Sequence, residues 1–161
     1  MSRVIDYIII HEADCPLHKP DGTEFTIKDI DEWHLERGFR RTPQWRRDFN
    51  PDIKACGYHY VIGITGALWT GRHVDEIPAA VQGHNHDSMN ICLIGKGKYT
   101  LAQWSVLKLL ASQLKSRYNN AEIKGHREFD TAIAQGKTCP DFDVQVWVKN
   151  NMKPLDDHIS N

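Results

Sequence analysis

The chain has 161 residues, 40% of them apolar and 25% charged, and a formal net charge of −1. That length suits one domain with a core large enough to stand without staples, and the charge balance offers no global field toward nucleic acid or an anionic membrane. No stretch approaches the ~18 apolar residues of a membrane span, and the first residues lack the apolar core and cleavage site of a secretory signal, so the expectation is a cytoplasmic product.

In chain order, "VIDYIIIH" (4–11) is a short apolar run rich in β-branched residues and predicts a buried strand ending at His11. "TIKDIDEWHLERGF" follows, with Thr26 and Asp29 spaced close to a capping box. Ile27, Ile30, Trp33 and His34 or Arg37 recur at helical spacing, and Gly38 marks a stop. Residues 40–56, with two prolines and a basic cluster, read as loop. "GYHYVIGITGALWTGRH" (57–73) predicts two strands joined by a turn near Thr65–Gly66, and "NICLIG" (90–95) a further buried strand. "TLAQWSVLKLLASQLKSRYN" is the clearest helix: Thr100 and Gln103 make a capping box, and Leu101, Trp104, Leu107, Leu110, Ala111 and Leu114 form one stripe. "AEIKGH" (121–126) predicts a short strand and "VQVWVKNN" a closing helix. Strands interleaved with helices predict a single α/β domain with a mixed central sheet.

Four cysteines, at 15, 56, 92 and 139, form no CxxC pair, and nine histidines exceed what packing needs. His11 and His126 end predicted strands, and Cys139 sits in the loop "GKTCPDFD" beside Pro140. Two imidazoles and a thiolate make a competent zinc set with a fourth position open to water. The bland alternative is a pair of packing histidines and a buried thiol acting as a small hydrophobe. "HEAD" (11–14) resembles the start of a zinc-protease helix, but Cys15 replaces the expected residue and Pro16 disturbs a helix. Lys137 is either a solvated loop lysine or a donor to a developing oxyanion. Tyr58 is either part of strand alternation or a phenol able to donate to a carbonyl or orient water. "RGFRRTPQWRR" holds five arginines, but Glu36 and Asp48 lie close by, which favours a solvated or substrate-facing loop over a nucleic-acid patch.

With those residues assembled, the chain resembles the zinc N-acetylmuramoyl-L-alanine amidases of the phage lysozyme type, relatives of the peptidoglycan recognition proteins. The resemblance is carried in order by "IIIH", "IDEWHLERGF", "GYHYVI", "GR", "GHNHDSMNICLIG", "GHREF" and "GKTCPDFDV", over residues 4 to about 148. It implies one catalytic amidase domain over 1–161 without a wall-binding module, its zinc at one edge of a substrate groove. It implies one Zn2+ held by His11, His126 and Cys139, with Tyr58 and Lys137 as catalytic groups. The implied reaction is hydrolysis of the amide between N-acetylmuramic acid and L-alanine in peptidoglycan by a phage or prophage endolysin, which a holin or lysis would release to the wall. Same-chemistry recycling of soluble muropeptides, or a binding module with vestigial ligands, are the competing readings. Some phage members also restrain their phage's RNA polymerase, and no motif here carries that property across.

Three departures from the family stand out. Ala80 takes the place of a frequent histidine, with His84 or His86 as substitutes; Asn90 stands where glycine is common, which suggests altered strand approach; and the loop from His126 to Cys139 is long. Cys15, Cys56 and Cys92 are expected to be inert.

Overall fold

A computed structural model describes residues 2–161. It contains strands β1 (Tyr7–Glu12), β2 (Tyr60–Ile62), β3 (Leu68–Thr70), β4 (Ser88–Leu93) and β5 (Glu122–Gly125). Its helices are α1 (Ile27–Glu36), α2 (Pro43–Asp48), α3 (Leu101–Arg117), α4 (Asp130–Ala134) and α5 (Val144–Lys149). The strands form one mixed sheet in the order β3-β2-β4-β1-β5. β2, β4, β1 and β5 run parallel, and β3 returns antiparallel at the edge. This is the expected α/β architecture.

Strand alternation assigns the two faces. Ile8 and Ile10 of β1, with Met89, Ile91 and Leu93 of β4, meet Trp104, Leu107, Leu110 and Leu114 of α3 and Trp147 of α5. On the other face Val61, Cys56 and Cys92 pack against Ile27 and Ile30 of α1. Ile9 and His11 point to this second face, and α1 covers it only in part, which leaves room for a groove.

Both expected capping boxes form, Thr26 with Asp29 and Thr100 with Gln103. Three sequence expectations need correction. Residues 40–56 are not all loop: Pro43 opens α2 from the position where its fixed φ suits a helix, and Trp45 of that helix stacks on His73 at 4.3 Å. Leu101 leaves the α3 stripe and is exposed, because the buried place in that first turn goes to Gln103, which donates to the carbonyls of Ile62 and Ile94. α4 gave no signal in the sequence, since it is five residues long and buries only Ala132.

Part of the arginine run is built into the architecture, while Arg37, Arg40 and Arg47 are exposed as expected. Arg41 is buried and paired with Glu76 at 2.8 Å, Arg40 donates to Leu35 and Phe39 carbonyls, and Arg46 donates to Pro51. Among the described residues no helix is long and apolar enough to cross a membrane.

Candidate active site and metal centre

Parallel pairing sets up the site. β1 and β5 are in register from Tyr7 opposite Glu122 to Ile10 opposite Gly125, so the next pair in line is His11 and His126. Their rings lie 4.8 Å apart at the carboxyl ends of the strands, where open α/β sheets place their ligands. His126 opens a 3₁₀ turn, His126–Glu128. The Arg127 N–H of that turn donates to the Cys139 carbonyl at 2.7 Å, which brings in the thiol loop. The Glu12 N–H then donates to Cys139 Sγ at 3.2 Å. Farther along, Phe142 is anchored in the core between Tyr99 and Trp104.

One nitrogen or sulfur from each of His11, His126 and Cys139 lies within 4.8 Å of the others. Donors around a tetrahedral zinc sit roughly 3.4–3.8 Å apart, from bonds of about 2.0–2.3 Å. Small side-chain movements therefore close the cluster on an ion, and the donor set suits zinc. Burial, helped by the neighbouring His126, holds His11 well below the usual imidazole range, and burial brings His126 down to about 4. Both are neutral at pH 7, as ligands must be. Burial pushes the Cys139 thiol up to about 12 despite the Glu12 N–H. Without an added positive charge Cys139 is a thiol at neutral pH, not a free nucleophile; a coordinating cation is what would make it a thiolate.

Tyr58 reaches the cluster from the segment just before β2, its ring 4.9 Å from His11. Burial keeps its phenol protonated by raising its pKa well above the ordinary value. That segment is held from α1. Asp31 accepts the N–H groups of Lys54, Ala55 and Cys56, and His34 Nδ1 accepts that of Gly57 at 2.8 Å. Four successive backbone donors leading to Tyr58 thus end on two polar residues of one helix face. Gly57 has no room for a side chain, because a Cβ there would overlap the Ala79 carbonyl.

The cluster opens into a groove of about 750 Å³ whose wall includes Tyr58, His34, Arg37, Ala80, Lys137 and Cys139. Lys137 is exposed, and its N–H is tied to the Ala132 carbonyl at 3.0 Å, so α4 sets where the lysine stands. Ala80 lines the groove, but neither of its expected substitutes does: His84 packs against Tyr7 and Phe129, and His86 is exposed beside Asp87. Cys56 and Cys92 are fully buried, and Cys15 nearly so. Asp31 has no local signal in the sequence, and His34 reads there as an ordinary member of a helical stripe.

Compared with known proteins, residues 1–142 match the family model described as N-acetylmuramoyl-L-alanine amidase. The chain belongs to the N-acetylmuramoyl-L-alanine amidase family. The endolysin of Escherichia phage T7 is 30% identical to the amidase over 154 residues, covering 91% of this chain and 87% of that one. The endolysin of Klebsiella phage KP32 is 29% identical, covering 82% and 80%. Among solved structures, the amidase LysC from Clostridium intestinale superposes with a TM-score of 0.69 at 22% identity, covering 94% of this chain and 88% of its own. A point mutant of Drosophila PGRP-LB in complex with tracheal cytotoxin gives 0.63 at 18%, covering 96% and 86%. At those identities the structures establish a shared fold. The family match carries the enzymatic assignment: this chain is an amidase.

Proposed function

We propose that the protein is a zinc-dependent endolysin that cleaves the amide between N-acetylmuramic acid and L-alanine in peptidoglycan, acting on the cell wall after release. The observation that carries this reading is the convergence of His11, His126, Cys139 and Tyr58 at the strand ends that open into one groove. His11, His126 and Cys139 would hold the ion. When bound, zinc supplies Lewis-acid polarisation of the scissile carbonyl and activates water. Tyr58, kept protonated by burial, donates a hydrogen bond to the oxygen that gains negative charge as water adds to the carbonyl carbon. Lys137 places a cation on the same wall and stabilises the same charge. Collapse breaks the C–N bond, and the departing nitrogen takes the proton given up by the attacking water, leaving a lactyl carboxylate and a free L-alanyl amine. Zinc content and release of stem peptides from purified peptidoglycan, measured for wild type and Cys139→Ser, test the proposal. About one zinc per wild-type chain is expected, with metal and hydrolysis both lost in the variant. A wild type with neither would leave a binding module.

A further inference from the structure

His11 has two ring nitrogens, and only one is available to a metal. Its Nε2 lies 2.7 Å from Asn90 Oδ1, in a pocket where His11 is 1% exposed and Asn90 is 0% exposed. The sheet explains the meeting. In the β1–β4 register Ile9 stands opposite Asn90 and His11 opposite Cys92. Asn90 and His11 are therefore diagonal neighbours on one face, within reach of a long side chain.

Asn90 is itself held at both ends. Its backbone N–H donates to His59 Nδ1 at 3.1 Å, and its carbonyl accepts from the His59 N–H at 3.1 Å. Its side-chain Nδ2 donates to Ser88 Oγ at 2.8 Å, which leaves Oδ1 facing the imidazole. An amide oxygen only accepts, so a neutral His11 must carry its proton on Nε2 and present a lone pair at Nδ1. A flipped amide would donate to Nε2 and force the proton onto Nδ1, leaving His11 no lone pair for a ligand.

We infer that Asn90 is a positioning residue that selects Nδ1 of His11 as the ligating nitrogen and fixes its ring toward His126 and Cys139. Asn90 acts on the His11 ring and not only on strand approach, through a contact with no signal in the sequence. The inference rests on the zinc reading above and adds to it the tautomer and the group that imposes it. Outer partners of this kind change metal affinity by about 10–100-fold when removed.

Two measurements test it. In metal-free wild type, long-range ¹H–¹⁵N spectra of the His11 ring should show the Nε2–H tautomer; an Nδ1–H tautomer overturns the inference. Zinc competition against a chromophoric chelator should show affinity falling about 10–100-fold in Asn90→Ala, with recovery in Asn90→Asp, whose carboxylate accepts the same proton. If Asn90→Ala fails to fold, Ser88→Ala frees the amide to rotate and should weaken zinc binding in the same direction. Equal affinity in wild type and the folded variants would refute the role of Asn90 while leaving the metal site standing. Absence of zinc binding by wild type would remove both.

Discussion

Asp31 offers a sharp test of how the fold delivers Tyr58. Its Oδ1 accepts from Ala55 at 2.6 Å, from Cys56 at 2.7 Å and from Lys54 at 3.0 Å, and its Oδ2 lies 2.9 Å from the same Lys54 N–H. Ala55 and Cys56 are fully buried, so their N–H groups have no water to turn to, whereas the Lys54 residue is exposed. A hydrogen bond to a charged group contributes about 1.5–3 kcal/mol, and two buried bonds set the loss in Asp31→Ala at about 3–6 kcal/mol. Asp31→Asn should differ sharply. Its one amide oxygen can keep the places of Ala55 and Cys56, and only the Oδ2 acceptor and the charge are lost, for about 1–2 kcal/mol. Total stabilities are about 5–15 kcal/mol, so both effects are measurable as shifts in urea midpoint at unchanged m-value. The alanine variant should also lose amidase activity beyond its unfolded fraction, because Tyr58 is released with the backbone. A cost below about 1 kcal/mol for alanine, or equal costs for the two variants, would refute the reasoning.

Removing the proposed oxyanion donors should slow turnover and spare the metal: Tyr58→Phe and Lys137→Met are each expected to lower kcat about 10²–10³-fold with zinc content at the wild-type level, and loss of zinc in either would contradict the proposed roles. Glu76→Gln strips the charged partner from buried Arg41, whose Nε and guanidinium NH2 both donate to Glu76 Oε1, and should cost about 3–5 kcal/mol in chemical denaturation; the double variant Arg41→Met, Glu76→Leu should cost less than that single change. Acid should destabilise the metal-free protein. Burial lowers His34 to about 4 and His59 to about 3 from 6.5, so both stay neutral in the fold while the unfolded chain takes up protons. Their stabilisation is complete above about pH 7 and is lost as pH falls through 6.5. By pH 5 the two together remove about 4 kcal/mol, with His11 and His126 acting in the same direction. Equal urea stability at pH 7 and pH 5 would show that these rings are not held neutral.

Much of the fold was legible because its signals are local. A β-branched run marked β1, a short apolar run marked β4, and the Thr26–Asp29 and Thr100–Gln103 pairs announced the starts of α1 and α3. α2 and α4 escaped because short helices carry no apolar period long enough to read, and their support is tertiary: Trp45 on His73, and Thr131 donating to the Gln82 carbonyl. Arg41 departs from the solvated reading of the arginine run for the same reason. Arg41 looks solvent-directed until Glu76, far along the chain, is seen to neutralise it inside the protein.

Local chemistry in the chain specifies the strands and the helices α1, α3 and α5 of an α/β amidase, and it supplies two imidazoles and a thiol that can serve as ligands. Which groups meet is set by the folded geometry. Parallel register places His126 beside His11, the Arg127 N–H brings in Cys139, and diagonal neighbours on one sheet face put Asn90 against His11 Nε2. Asp31 and His34 receive four donors from more than twenty residues away. Hydrogen-bond partners separated that far leave no periodic trace in a chain, because the geometry joining them exists only once the sheet has formed.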